Sequence, residues 1–487
     1  MAMSEATVSS RSDVPEVRLN TKLAFGIGST AETLSLYSYA ALVTLYYNQI
    51  LGIEIWMAGL APTIAIFVDA ISDPFMGSFS DRFRSKKWGR RHPFMFVSPP
   101  LIAVAFWCIY NPPDGFTELQ LFAWLTFWAI ALRTFLTIYH VPHLALGGEL
   151  APDYIGRSKI MSYNNFFGWL GGAAMFKLNT LIFFASSAQF ANGLLNPEAY
   201  FYFSSSIAVV ILVVLFASAW FTRDRIPYLP QSISGDGFRV TDFVRDLITA
   251  FSNRNYLFLM IAYFCLSLML GIRGGIGTYM EIYYWELSSE RIGDFRFYPS
   301  LFGYVVGFAF AAKFHSVFDK RHVIWVTAIL LSVFPALPVV LRLMGMFPEN
   351  HAPMLFMSLV VCAAIGALAG SILNISVMSA LADVADEIDL KHGLRQEGIL
   401  YSARTFFAKL DNSIGHGIAT FSMWLIAFPE KAIPGQVDAE IIWWLGVIDS
   451  PMTILPGLIA AFFYSKYRID RTSWEKTRAS LASRSAS

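Results

Sequence analysis

The feature that most constrains this chain is a repeating run of apolar residues. Each run is close to the length of about 20 residues that carries a helix across the hydrocarbon core of a bilayer. The runs fall at 22–50, 55–80, 94–111, 119–148, 159–187, 201–222, 255–285, 297–318, 322–344, 354–382, 399–428 and 440–465, about twelve spans in all. Lipid offers no partner to a backbone N–H or C=O, so only helices and closed barrels can cross it. The alternating ten-residue pattern of a barrel is absent. The expected fold is therefore an all-α integral membrane bundle. Only 15% of residues are charged, against roughly 25% for a soluble domain, which excludes an ordinary soluble enzyme.

Net charge is +1 and by itself points to no nucleic acid or acidic partner. The distribution of the charge is more informative. Basic residues gather between the second and third runs (Arg82, Arg84, Lys86, Lys87, Arg90, Arg91), after the sixth (Arg223, Arg225, Arg239, Arg245, Arg254) and in the tail (Lys466, Arg468, Arg471, Lys476, Arg478, Arg484). The loops 112–118 and 188–200 carry neither Lys nor Arg; Arg291, Arg296, Arg342 and Lys431 are exceptions on that side. By the positive-inside rule both termini are expected in the cytoplasm. No cleavable signal pattern precedes the first run, which is expected to act as an uncleaved signal-anchor. Cys108, Cys265 and Cys362 are too scattered for a metal cluster or disulfide framework and read as small buried hydrophobes.

A polar stretch at 223–254, with Pro227, Pro230, Gly235 and Gly237 and room for an amphipathic helix at 241–251, divides the chain into halves at 1–222 and 255–487. The halves share a weak pattern. Gly156-Arg157, Tyr163 and Phe166-Phe167 correspond to Gly393-Leu394-Arg395, Tyr401 and Phe406-Phe407, at an offset of about 240 residues. Parallel six-span repeats with a midplane site between them are the architecture of the major facilitator superfamily.

Charges inside a membrane are costly and mark function. Asp69 and Asp73 lie four apart on one face of the second span, where two carboxylates need a proton or a cation to relieve their repulsion. Pro74 cannot donate to the carbonyl of Ala70, and Ser72 adds a hydroxyl, so hard oxygen ligands gather there. Lys409, inside the eleventh span, is the basic group expected to alternate with a cation as partner of the aspartates. Glu32, Arg133, Thr137, His140, Asn164, Asn165, Lys177, Arg273, Glu281 and Arg404 are further embedded polar groups. Arg273, among glycines 271–277, either recognises an anionic substrate or pairs with Glu281. His140 is either a proton relay or substrate donor, or a packed, hydrogen-bonded histidine. Gly77, Asp81, Arg82, Arg90 and Arg91, with Asp383, Asp386 and Arg395 in the second half, are expected to form a cytoplasmic gate or latch.

Several of these motifs, in order, resemble the glycoside–pentoside–hexuronide:cation symporter family. They are Asp69-x3-Asp73-Pro74-x2-Gly77-x3-Asp81, Gly89-Arg90-x2-Pro93, His140-Val-Pro142, and Ala382-Asp383-x2-Asp386 to Gly393-x-Arg395-x-Glu397-Gly398, leading to Lys409. The resemblance spans all twelve runs. It implies a cation site at Asp69, Ser72, Asp73 and Thr137 with Lys409 opposite, and substrate positions at His140, Leu144 and Asn165; Glu32, Arg273 and Glu281 are substrate candidates as embedded polar groups. A sugar-carrying member has asparagine at Ser72, aspartate at His140, tryptophan at Leu144 and arginine at Asn165, so the sugar positions match less well than the cation site.

The expected function is symport of a small organic solute, a sugar, glycoside or hexuronide, with Na⁺ or H⁺ and with no cofactor. A lysolipid-like amphiphile is the alternative substrate, and a non-transporting sensor the alternative of another class. The expected setting is the plasma membrane, with the lipid bilayer and the solute as partners, no nucleic acid, and a monomer. An enzyme would need a nucleophile–base pair or a metal set; His140 and His143 have i, i+3 spacing but no clear third ligand.

Overall fold

The computed structural model describes residues 16–83, 85, 87–151, 154–229, 250–392 and 397–486. The described residues are helical or irregular, with no strand among them. The first half contains α1 (Leu19–Leu45, continued by a π turn at Tyr46–Leu51), α2 (Ile55–Arg82), α3 (His92–Ile109), α4 (Glu118–Glu149), α5 (Tyr154–Trp169, continued through a π turn at Leu170–Ala174 to Met175–Ile182) and α6 (Pro197–Thr222). The second contains α7 (Arg254–Tyr279, with a π turn at Met280–Tyr284), α8 (Ser289–Val317), α9 (Lys320–Val333 and Leu337–Leu343), α10 (Pro353–His392), α11 (Glu397–Leu425) and α12 (Ala439–Val447, a π turn at Ile448–Met452, and Thr453–Ser465). A further helix, α13 (Arg471–Ala486), follows. Most of the linker, with the expected amphipathic helix, and Arg395 lie outside the described residues.

Seven of these helices are long and apolar enough to cross a membrane, and the two parts of α9, bent by 43°, make an eighth. The columns that fall short, α1, α5, α8 and α11, carry embedded polar groups. Exposed Phe127, Val209, Leu455 and Phe462 suit a lipid surround. Helix ends are set locally: Thr117 and Gln120 form a capping box at the start of α4, and Asn196 caps α6 from its side chain.

The packing repeats with an offset of six helices. In the first half α1 packs on α5 and α6, α4 on α2 and α3, and α3 on α6. In the second, α7 packs on α11 and α12, α10 on α8 and α9, and α9 on α12. Small residues allow the closest of these contacts. A Cβ on Gly171 would lie 2.2 Å from the Thr30 carbonyl oxygen, at the α5–α1 contact. One on Gly415 would lie 2.7 Å from that of Leu268, at the equivalent α11–α7 contact. The halves meet chiefly where α2 packs on α11, α5 on α8 and α1 on α7.

Two expectations change here. The eighth span begins at Ser289 rather than 297, because Ser288 caps the helix and its charges find partners on other helices. The ninth is broken rather than continuous. The three cysteines are free thiols, with Cys108 buried and the other two partly so.

Candidate functional site

The helical repeat places Asp69 and Asp73 on the same side of α2, between α4 and α11. From α4, the Thr137 hydroxyl lies 2.7 Å from Asp69 Oδ1 and 2.9 Å from Asp73 Oδ1. From α11, Lys409 Nζ donates to Asp69 Oδ2 at 2.9 Å and to Asp73 Oδ2 at 2.5 Å. Arg133, one turn before Thr137, approaches Asp69 Oδ2 at 3.4 Å. Two carboxylates thus meet two cations across three helices from both halves.

The site is only partly sealed. Asp69 is 7% exposed at its side chain, Asp73 23% and Lys409 25%, so one edge of the site is open. Thr137 has one proton and cannot donate to both carboxylates at once. Its oxygen and the two Oδ1 atoms form a cluster of hard donors beside the amine, the ligand type that suits a hard cation. Ser72 is turned away: its hydroxyl donates to the Asp69 backbone carbonyl at 3.1 Å.

In the same half Glu32 is buried between two imidazoles. His140 Nδ1 lies 2.9 Å from one carboxylate oxygen and His143 Nδ1 3.1 Å from the other. His143 Nε2 meets the Phe25 carbonyl oxygen at 2.9 Å, so that nitrogen carries a proton. The His140 ring is 48% exposed, which leaves a held imidazole available to a solute. Asn165 is exposed without a described hydrogen bond, whereas its neighbour Asn164 accepts from Ser29 and ties α5 to α1.

In the second half the expected partners are exchanged. Arg273 does not meet Glu281. Its Nε is 3.5 Å from the Asp449 carbonyl oxygen and its NH2 3.8 Å from the Asp449 carboxylate, on α12. Glu281 is held by Arg296, at 2.9 Å from Nε to Oε1 and 2.6 Å from NH2 to Oε2. Arg296 also donates to Thr278 Oγ1 at 2.7 Å. Read as a loop charge in the sequence, Arg296 lies inside α8, and its side chain is 13% exposed. Arg133, Arg296, Asp449 and His143 are the residues that sequence reasoning left without a place at these sites. Three of the four are charged residues within or beside apolar runs, which was the available signal.

The residues expected at a cytoplasmic gate form networks within each half. Arg91 pairs with Asp81 at 2.5 Å and Glu149 at 2.8 Å, Arg90 pairs with Glu149 at 2.7 Å, and Arg91 also donates to Ser80. In the second half Lys320 pairs with Asp383 at 2.5 Å, Tyr467 donates to Asp383 at 3.1 Å, and Arg478 of α13 lies 3.5 Å from Asp386. Gly77 faces Val141 at ordinary contact distance, and Arg82 is exposed. The halves are joined at the opposite end. Tyr279 and Tyr283 donate to Asn48 (3.0 Å) and Gln49 (2.9 Å), and Gln49 also donates to the Pro429 carbonyl at 2.9 Å and accepts from the Ala432 N–H at 2.7 Å.

Known proteins resemble the chain along most of its length. The model of a family described as MFS/sugar transport protein matches residues 24–471. The inner membrane symporter YicJ of Escherichia coli (strain K12) is 24% identical over 91% of each chain. The sodium-dependent lysophosphatidylcholine symporter 1 of Gallus gallus is 20% identical over 94% of this chain and 88% of its own. Among solved structures, a bacterial homologue of the human lysosomal transporter Spinster superposes with a TM-score of 0.65 at 13% identity, over 94% of this chain and 97% of that one.

Proposed function

The chain belongs to the MFS/sugar transport protein family and is a multi-pass membrane protein, and from that premise we propose that it is a cation-coupled symporter of a small organic solute, working by alternating access. The observation that carries the reading is Lys409. It reaches from the second half to hold two carboxylates of the first, at 2.9 and 2.5 Å. A cation among Asp69 Oδ1, Asp73 Oδ1 and the Thr137 hydroxyl takes over that neutralising role and releases the amine, which frees the halves to move around the site. Arg133 keeps Asp69 partly compensated throughout. Because the cation changes the conformational balance that the solute also senses, each raises the other's affinity by the same factor.

Na⁺ is the coupling ion we favour, since three hard oxygens converge without a thiol or imidazole among them. The sodium dependence of the lysophosphatidylcholine relative supports the same choice. The solute is a sugar, glycoside or hexuronide, with the exposed His140, braced by Glu32, as the group that meets its hydroxyls. An amphiphile is the second reading, favoured by Leu144: it lies one turn from His140 on α4 and is 44% exposed. The moving bodies are 1–222 and 255–487, joined by 223–254, in a membrane that places both termini in the cytoplasm.

Uptake into proteoliposomes of a labelled panel of glycosides, uronates and lysolipids, under imposed Na⁺ or H⁺ gradients, tests the proposal. Asp73→Asn is expected to insert normally and to lose gradient-driven accumulation. Undiminished Na⁺-stimulated uptake by that variant refutes the cation site.

A further inference from the structure

Two residues beyond Lys409 on α11 lies an acidic side chain that the site does not use. Asp411 is fully buried (0% exposed), and neither carboxylate oxygen has a hydrogen-bond partner. Lys409 cannot serve it. Residues two apart point to opposite sides of a helix, and the Lys409 amine is committed to Asp69 and Asp73. Asp411 instead shares a helix face with Phe407 and Gly415, the face packed on α7. There the two backbones nearly touch: a Cβ on Gly415 would lie 2.8 Å from the Gly271 Cα. No space remains for a bulky counter-ion.

The groups around Asp411 offer no compensating charge. From α7 the titratable neighbour is Cys265, a free thiol. From α2 the acidic groups are Asp69 and Asp73, both held by Lys409, while Ser413 beside Asp411 donates to the Thr63 carbonyl of that helix at 2.8 Å. Arg404 lies two turns earlier on α11. It donates to Asn374 of α10 at 2.9 Å, and its guanidinium covers the Tyr263 ring at 4.4 Å. From the end of α1, which packs on α7, Thr44 meets His416 at 3.3 Å, more than a turn beyond Asp411. An ionised carboxylate with no partner is among the most unfavourable things a protein interior can hold, and such a group takes up a proton instead.

We infer that Asp411 is a proton-binding site distinct from the Asp69/Asp73 cation site, and that its carboxylic acid form belongs to the conformation described. The proton is taken from water and held while α11 and α7 bury Asp411, and it returns to water when the chain unfolds. This inference rests on the packing of α11 and needs neither a known solute nor a coupling ion.

The test uses the purified full-length protein in lipid, without substrate. Infrared spectra at neutral pH are expected to show a carboxylic-acid carbonyl band that Asp411→Asn removes. Thermal unfolding adds a second measurement. An aspartate protonated when folded and ionised when unfolded makes the protein less stable as pH rises, because the folded state then binds the extra proton. The unfolding midpoint of the wild type is thus expected to fall from pH 6 to pH 8 by more than that of Asp411→Asn. An acid band equally strong in both proteins overturns the inference, as do parallel pH profiles. Should Asp411→Asn fail to insert, the wild type still decides: no acid carbonyl band at neutral pH overturns the inference, and a band that vanishes as the midpoint falls supports it. Loss of Na⁺-driven uptake bears on the transport reading alone.

Discussion

Replacing Lys409 with glutamine separates the two roles assigned to its amine. In the wild type a cation must displace that amine from Asp69 and Asp73; in Lys409→Gln the competitor is absent. Removing one partner of a fully buried pair costs about 3–5 kcal/mol. The side chains of Lys409 and Asp73 retain 25% and 23% exposure, and water screens the loss. We therefore take the amine's competitive contribution as about 2 kcal/mol, below the fully buried range. At about 1.4 kcal/mol per tenfold, Lys409→Gln should bind Na⁺ roughly thirtyfold more tightly. It should at the same time lose coupled uptake, because the group that holds the halves together when the cation leaves is missing. Calorimetric titration of the purified protein with Na⁺ measures the affinity, and uptake into proteoliposomes the transport. Weaker or unchanged Na⁺ affinity in Lys409→Gln refutes the competition between amine and cation.

Three further substitutions test other parts of the arrangement. Gln49→Ala removes three contacts across the closed end, each worth about 1 kcal/mol, so a cysteine placed at Ala41 should react much faster with a reagent added from that end; unchanged reactivity refutes its role in closure. Gly171→Ala puts a methyl group against the Thr30 carbonyl oxygen and should cost about 1–3 kcal/mol, seen as a lower unfolding midpoint in detergent. An unchanged midpoint shows that α5 and α1 separate freely. Arg296→Met leaves the Glu281 carboxylate buried without its cation and should destabilise by about 3–5 kcal/mol. Adding Glu281→Gln should recover part of that loss, and failure to recover any argues against the pair.

The parts of the site legible in the sequence are those that depend on one helix. Asp69 and Asp73 face the same way because a helix repeats every 3.6 residues, and that holds before any tertiary contact. Lys409 stands out as a lysine that an apolar span cannot leave unpartnered, the paired aspartates are the acids it is expected to meet, and the family likeness implies the same placement. Partners between helices were harder to read. Arg273 was weighed against Glu281 because both lie near the end of α7, yet the rotation of that helix turns Arg273 to Asp449 on α12 and Glu281 to Arg296 on α8. The start of α8 was missed for a related reason. Glu290, Arg291, Asp294 and Arg296 lower its hydropathy to that of a loop, while the Ser288 cap and tertiary pairs such as Lys177 with Asp294 at 2.6 Å hold it as a helix. The fold as a whole was legible because spans of apolar residues are counted, not paired.

The clusters around Glu149 and Asp383 have a mechanical consequence. Each ties together helices of its own half: Arg90 and Arg91 meet Glu149, and Arg91 also Asp81, in one, and Lys320 and Tyr467 meet Asp383 in the other. A joint internal to a rigid body does no work when that body swings. The barrier to reorientation is therefore set by contacts between the halves, among them Lys409, the tyrosine–amide contacts at the far end and the Lys177–Asp294 pair, while these clusters keep each half stiff enough for a local event at one carboxylate to move all six helices together.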